Sequence, residues 1–284
     1  MTFHKTAILG VGLLGASFSL ALKKHGICSH VCGFGRSREN LQRAKEMKII
    51  DSYASDPASA CSDADLILLA APVGSFVEIM KRAVHSLKKG AVVTDVGSVK
   101  GRLVHELEGI MPTGVHFVGS HPIAGSDRSG IDFSDPELFR DALCIITPTD
   151  LTEPAALRTV TDIWNSFGSK VMTMKPDQHD RVYAAVSHLP HIIAYALVNT
   201  VSDIDSSFMF FCGQGFRDMT RIAASSPEIW TDISLLNKEN IKEMIAIFRE
   251  NLDRIDAHLK ASETDALKED FTNACALRSS IGQD

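Results

Sequence analysis

Thr6-Ala7-Ile8-Leu9-Gly10-Val11-Gly12-Leu13-Leu14-Gly15 is a short apolar run that meets three glycines and then a helix-like stretch. The spacing G-x-G-x-x-G has a mechanical meaning. The first glycine makes a tight turn, the second lets the backbone approach a pyrophosphate, and the third lets the helix pack against the strand. The free N–H groups of the helix start then face the anion. Gly10, Gly12 and Gly15, with Leu13 and Leu14 between them, are candidate dinucleotide-binding residues. A glycine turn in an unrelated α/β fold carries the same letters, so the context of the motif decides.

That context alternates. Apolar runs at Thr6–Leu9, His30–Phe34, Asp65–Ala70, Ala91–Asp95, His116–Val118 and Ala142–Thr147 are separated by helix-like stretches. Strands joined by crossover helices predict a mostly parallel sheet covered on both faces. Ala155–Phe167 reads as a further helix and Val171–Met174 as a last strand. After Pro176 no strand pattern remains. Asp180–Val201 reads as one long helix, apolar nearly all round and therefore buried, with Pro190 kinking or splitting it. A second helix near Lys238–Lys260 carries an apolar stripe from Ile241 to Leu259, capped near Asn237 or Lys238. The expected fold is an α/β Rossmann-type doubly wound parallel sheet over residues 1–175. An all-α dimerisation and substrate domain follows over residues 176–284, its excess apolar surface pointing to a homodimer.

Composition narrows the partners. With 29 basic and 35 acidic residues the net charge is -6, and no Lys/Arg block stands out, which argues for a small-molecule substrate and against nucleic acid. No apolar run of about 18 residues suggests a membrane span, and the N-terminus lacks the pattern of a secretory signal. A cytoplasmic protein is expected. The six cysteines form no C-x-x-C pair; Cys28 and Cys32 are four apart, and all read as reduced, packed thiols.

The end of the second strand bears on the cofactor. NAD sites carry an acidic residue about 20 positions after the glycines, for the ribose hydroxyls. Here the chain reads Gly33-Phe34-Gly35-Arg36-Ser37-Arg38. A carboxylate would repel a 2'-phosphate, whereas Arg36 and Ser37 would bind one beside Gly35, so NADP is favoured over NAD. Arg36 and Arg38 as solvated loop charges would leave room for either.

Three polar stretches stand out: Asp95-Val96-Gly97-Ser98-Val99-Lys100, Gly119-Ser120-His121-Pro122-Ile123-Ala124-Gly125 and Ser187-His188-Leu189-Pro190-His191. The first two follow predicted strands and fall at the carboxyl edge of the sheet, where such folds bind ligands. With the nucleotide motif, Ile145-Ile146-Thr147-Pro148-Thr149 and Gly215-Phe216-Arg217-Asp218-Met219-Thr220-Arg221-Ile222-Ala223, they run in the order of a known family. The chain resembles the prephenate/arogenate dehydrogenases of tyrosine biosynthesis over nearly its whole length.

The resemblance implies an oxidative decarboxylation: a cyclohexadienol gives hydride to NAD(P) and loses its ring carboxylate as carbon dioxide, and the ring becomes aromatic. Positioning and electrostatics carry such a reaction. His121 fits the hydrogen-bond acceptor or base for the ring hydroxyl, against a buried, satisfied histidine as the plain alternative. Ser98 matches the serine that positions this histidine and the nicotinamide, and Lys100 reads as a helix-start or cofactor-loop charge. Ser187, His188 and His191 fall at the substrate wall, with His191 the favoured contact. His188 and His191 lack a third ligand at metal spacing, so no metal is expected. Arg221 is the candidate for the ring carboxylate, with Arg217 one helical turn away and Asp218 available to orient it. Asp127 stands where relatives carry an acidic gate. Trp230 reads as core or dimer contact. Some relatives carry a fused chorismate mutase or an ACT-type regulatory domain; with the nucleotide strand beginning at residue 5 and about 25 residues following the striped helix, neither is expected here. Any feedback by tyrosine would then act at the active site, where the product resembles the substrate.

Two other functions use the same fold. A 3-hydroxyacid or 6-phosphogluconate type of dehydrogenase would carry a catalytic lysine on the first long helix after the sheet, but no lysine lies between Lys175 and Lys238. A non-catalytic NAD(P)-binding protein would not need the clustered histidines and arginines.

Overall fold

The computed structural model describes residues 2–125 and 128–281. Eight strands form one sheet: β1 (Phe3–Leu9), β2 (Cys28–Phe34), β3 (Ser52–Tyr53), β4 (Leu66–Leu69), β5 (Val92–Asp95), β6 (His116–Pro122), β7 (Leu143–Thr147) and β8 (Lys170–Thr173). Between them run α1 (Leu13–Lys24), α2 (Arg38–Glu46), α3 (Pro57–Cys61), α4 (Phe76–Ala83), α5 (Gly101–Ile110) and α6 (Pro154–Ser166). After the sheet come α7 (Pro176–Tyr183), α8 (Leu189–Asp205), α9 (Gln214–Thr220), α10 (Pro227–Leu236), α11 (Lys238–Ala261) and α12 (Thr264–Ser280).

The strand order is β3-β2-β1-β4-β5-β6-β7-β8. All neighbours are parallel except β6 and β7, which are antiparallel. The order reverses between β1 and β4, the switch point at which doubly wound sheets bind nucleotides. Strand periodicity explains the two cores. On β4, Leu66 and Leu68 face one cluster while Ile67 and Leu69 face the other, and on β1 Ile8 opposes Ala7 and Leu9. The first cluster is closed by Phe18 of α1 and Trp164 of α6, which pack edge to face at 5.3 Å. The second is closed by Phe76 and Met80 of α4 and by Leu103 and Leu107 of α5.

The chain divides into two compact units, Met1–Lys238 and Glu239–Asp284. The first holds the whole sheet and the helices through α10. In the second, α11 and α12 leave Leu252, Leu259, Phe271 and Leu277 exposed.

Three expectations from the sequence change here. The two-residue edge strand β3 has no hydrophobic run to announce it. The helix expected over Asp180–Val201 starts earlier, at Pro176, and is broken by a π-helical turn, Ala184–His188, before α8. Pro190 explains the break: it lacks the N–H that would continue a regular ladder, so it sits at the start of α8 instead. Nor is α8 buried all round. Only Ala194 is buried within it, and Val186 beside it is 66% exposed. By length and hydropathy alone, the helical stretch Pro176–Phe211 passes the test for a membrane span. It nevertheless carries the buried polar residues His179, Asp180 and His188.

Candidate active site

The nucleotide motif folds as its spacing requires. Gly10 has φ +116°, and a Cβ there would lie 2.4 Å from the Ala70 backbone of β4's exit loop. A Cβ on Gly15 would lie 2.1 Å from the Gly10 carbonyl oxygen, while Gly12 faces open space. A cleft of about 730 Å³ opens there, lined by Gly10, Gly12, Gly35, Arg36, Ser37 and Asn40 among others. Leu13, Leu14 and Gly15 begin α1 behind this lining and are at least half-buried. Ser37 Oγ accepts the Asn40 N–H at 3.1 Å and caps α2, and Asn40 Nδ2 donates to Val11 O at 2.8 Å. The glycine loop is thus tied to the loop that carries Arg36. No carboxylate stands at the end of β2, and Arg36 is exposed in the cleft. The open backbone at Gly12 and the start of α1 suit a pyrophosphate, so the residues present fit a dinucleotide.

Next to this cleft, β5 and β6 end side by side. The Asp95 carboxylate accepts the backbone N–H groups of Ser120 and Gly97, each at 2.9 Å, and pairs with the Lys100 ammonium. Asp95 and Lys100 are both wholly buried. Lys100 stands at the start of α5, as expected, but its side chain is an internal strut joining the two strand ends and not a cofactor-loop charge. Its backbone N–H donates to Asp180 Oδ1 at 2.7 Å, which fastens this loop to α7.

His121, near the end of β6, is half-buried. Its Nδ1 lies 2.8 Å from His179 Nε2, and His179 Nδ1 lies 2.9 Å from Asp180 Oδ1. Tyr183 stacks on His179 at 4.4 Å and meets His121 edge-on at 4.9 Å. Burial holds His121 well below the ordinary histidine range, and the charges of His179, Lys100 and His188 push the same way. His121 is thereby kept neutral at pH 7. Its Nε2 has no hydrogen-bond partner among the described residues. Since His179 takes Nδ1, any contact from Ser98, half-buried on the β5–α5 loop, is left to the other edge of the ring.

The resulting site has a nucleotide cleft, a neutral imidazole at the carboxyl edge of the sheet and a wall of further histidines. A family model described as prephenate dehydrogenase, nucleotide-binding domain, matches residues 18–173, and one described as prephenate dehydrogenase, dimerization domain, matches residues 175–273. The chain belongs to the prephenate dehydrogenase family. It is 32% identical to the cyclohexadienyl dehydrogenase of Zymomonas mobilis, over 99% of this chain and 97% of that one. It is 31% identical to the prephenate dehydrogenase of Bacillus subtilis, over 96% of this chain and 75% of that one. The crystal structure of prephenate dehydrogenase from Aquifex aeolicus, in complex with hydroxyphenyl propionate and NAD+, superposes with a TM-score of 0.93 at 36% identity, covering 99% of each chain. The reading as an NAD(P)-dependent prephenate/arogenate dehydrogenase, with a Rossmann-type sheet and a helical domain after it, stands on these matches.

The remaining candidate residues lie on α8 to α10, on the 3-10 turn after α9 and on the π-turn. His188 is buried, 1% exposed, and its Nδ1 accepts from Asn237 Nδ2 at 3.1 Å. The same amide group donates to Asp180 O at 2.8 Å. His188 Nε2 therefore carries the ring proton and is buried without a partner of hydrogen-bonding geometry. Burial pushes His188 down to about 4, against opposing effects of Asp180 and the Ser98 backbone. His191 is half-buried. Its Nδ1 donates to Ser187 O at 3.0 Å, and its ring lies face to face with Trp230. Burial lowers His191 as well, and the neighbouring Arg221 adds to that, so Arg221 and His191 are within electrostatic reach of each other.

The sequence expectations need several corrections here. Trp230 is a wall of the histidine cluster as well as a packing residue of the second core. Asp218 does not orient Arg221; it accepts from Gln214 Nε2 at 2.7 Å, because α9 ends at Thr220 and Arg221 starts a 3-10 turn that breaks the helical phase. Arg217 and Asp218 are exposed on α9, and no hydrogen bond or ion pair joins Arg217 to the histidine cluster among the described residues. Asn237 is at a helix cap, as expected, closing α10 directly before α11; what the sequence did not show is that its side chain is buried between Asp180 and His188. Asp127 lies outside the described residues. Sequence reading missed His179, Asp180, Tyr183 and Asn237. The one available signal was His179-Asp180 beside a proline-started helix.

Proposed function

We propose that His121 Nε2 is the base in the oxidative decarboxylation of prephenate or arogenate and that Arg221 binds the ring carboxylate. The observation that carries this reading is the neutral His121, its Nδ1 engaged by His179 and its Nε2 unbonded, on β6 of the sheet that carries the nucleotide motif. When bound, the nicotinamide supplies the hydride acceptor; Gly10, Gly12, Gly35, Arg36 and Ser37 would hold the dinucleotide. Leu13, Leu14 and Gly15 would support it from the start of α1. His121 Nε2 takes the hydroxyl proton as the carbinol carbon is oxidised. Carbon dioxide leaves, the ring becomes aromatic, and the proton returns from His121 to the phenolate oxygen. A half-buried, neutral imidazole suits both transfers. Ser98 would steady the free edge of His121 and the nicotinamide.

Arg221, exposed at the start of its 3-10 turn, offers a bidentate fork to a carboxylate. His191 with Trp230 and Ser187 would form the wall against the ring. The buried His188 Nε2–H would be a fixed donor behind that wall. Arg217 would act at the entrance, where its positive charge steers an anionic substrate, with the exposed Asp218 beside it.

For the cofactor, the exposed Arg36 and the missing carboxylate after β2 favour NADP over NAD. A homodimer accords with the exposed apolar residues Ile204, in the last turn of the half-exposed α8, and Phe208, Phe210 and Phe211 just after it, and with the dimerization-domain match. Tyrosine, as a product analogue, would compete at the same site. Six free thiols accord with a cytoplasmic location.

The testing experiment is a four-way assay. Prephenate or arogenate is mixed with NAD+ or NADP+, and reduced nicotinamide is followed by absorbance. The active wells name substrate and cofactor together. Silence in all four, from folded protein that binds nucleotide, would overturn the reading.

A further inference from the structure

We propose that His179 and Asp180 are positioning residues that lock His121 in the tautomer protonated on Nδ1, so that its Nε2 always presents a lone pair to the substrate hydroxyl. The proposal rests on the reading of His121 as the base and adds what makes that base ready before substrate arrives.

The argument starts at Asp180. Its Oδ1 accepts the Lys100 N–H at 2.7 Å and faces His179 Nδ1 at 2.9 Å. A carboxylate has no proton to give, so His179 carries its proton on Nδ1. His179 is wholly buried, and burial lowers its affinity for a second proton. Its Nε2 is therefore a lone pair, 2.8 Å from His121 Nδ1. Two lone pairs at that distance repel, so His121 Nδ1 must be the donor. A neutral imidazole has one N–H, and His121 Nε2 is left as the acceptor. A histidine in water favours the opposite tautomer, which would point an N–H at the hydroxyl it has to deprotonate.

The surrounding groups keep this arrangement in place. Lys100 and His188 act on His121 against a second proton, whereas Asp180 and Asp95 act on His179 in the opposite sense. The Asp180 carboxylate reaches the start of α5 because residue 101 is glycine; a Cβ there would stand 2.6 Å from its Oδ2. The Asp180 carbonyl is held by Asn237, and the Tyr183 ring packs on both histidines. When His121 takes the hydroxyl proton, Nδ1–H goes on donating to His179. The site needs no rearrangement at the moment of reaction, which is the condition for electrostatic preorganisation.

The test reads the tautomer directly. The full-length protein is labelled with 15N-histidine, and the ring signals of His121 are assigned by their loss in His121→Asn. The expected result is a proton on Nδ1 in the wild type. In His179→Phe, which keeps a ring against Tyr183 and removes the acceptor, the proton should move to Nε2. Turnover should fall roughly 10²- to 10⁴-fold, the scale of a mis-set tautomer in other enzymes, while substrate KM and nucleotide affinity change by less than about threefold. His179→Gln, whose side-chain carbonyl can accept from His121 Nδ1, should recover at least about a tenth of wild-type turnover.

A wild-type His121 protonated on Nε2 overturns the proposal, even if His179→Phe fails to fold. Near-normal turnover in a folded His179→Phe overturns it while leaving His121 as the base, provided that His121→Asn is inactive. Normal turnover in His121→Asn removes the base itself, and the proposal with it.

Discussion

The rings of His191 and Trp230 lie face to face, with centroids 3.5 Å apart and planes 21° from parallel. The indole fixes the direction of an imidazole whose Nδ1 is already committed to the Ser187 carbonyl. That leaves Nε2 of His191 as the ring nitrogen open to a further contact. Trp230→Leu removes the stack, worth about 0.5–1.5 kcal/mol beyond area burial. Substrate KM should rise several-fold with nucleotide affinity unchanged. Steady-state kinetics at saturating cofactor measure this, and an unaltered KM would reduce Trp230 to packing.

His121→Asn removes the proton acceptor and keeps a similar volume. Turnover should fall by roughly 10²- to 10⁴-fold, the usual worth of a positioned acid–base group. Binding of reduced nucleotide, followed by fluorescence, should stay within about twofold because the Gly10–Gly15 turn is untouched. Full turnover would take the chemistry away from this residue.

Arg221→Ala tests the carboxylate site. A charged hydrogen-bonded contact contributes about 1.5–3 kcal/mol, so substrate KM should rise roughly ten- to a hundredfold. Arg221→Lys should recover only part of this, since an ammonium cannot offer the bidentate fork. Equal KM values for wild type and Arg221→Ala would exclude the residue from binding.

Acid should destabilise the fold through its buried histidines. His188 is pushed from 6.5 down to about 4 by burial, and His121 and His179 are lowered too. Below pH 6.5 the unfolded chain takes up these protons first, so stability is whole above that value and falls as the pH drops towards 4. For His188 alone, a shift from 6.5 to about 4 corresponds to about 3 kcal/mol across the window. Denaturant unfolding at pH 7, 6, 5 and 4.5 should show the loss, with a shallower slope in His188→Gln. A flat profile would mean that these rings are not buried in the neutral form.

Lys100→Met leaves the Asp95 carboxylate buried and without its cation. Removing one partner of such a pair costs about 3–5 kcal/mol. The free energy of urea unfolding, read as the midpoint shift multiplied by the slope, should drop by an amount of that order. Double replacement by Asp95→Asn with Lys100→Met should recover part of the loss. A midpoint unchanged in Lys100→Met would show that water reaches Asp95.

The strands that build the nucleotide site were legible because each is a continuous apolar run buried on both faces, as Leu66–Leu69 is. The glycines were legible because each spacing answers one steric demand. Much of what surrounds His121 was not. His179 and Asp180 are common polar residues at an ordinary helix start, and their roles arise from contacts with residues 58 and 80 positions away in the chain. Asn237 likewise meets His188 across 49 positions. The predicted partnership of Asp218 with Arg221 failed because helical spacing was extended past Thr220, where the helix ends. The apolar pattern of α8 predicted a burial that the structure does not show, since Ala194 is its only buried residue.

The π-turn at Ala184–His188 stores a spare residue. It holds one residue more than a regular turn, and it sits between the helix bearing His179 and the one bearing His191. Deleting Val186, which is 66% exposed, would let the ladder close as an ordinary helix and leave the direction of everything downstream nearly unchanged. His191 would still face Trp230. Deleting a residue within the regular part of α8, such as Ala196, would instead turn everything after it by about 100°.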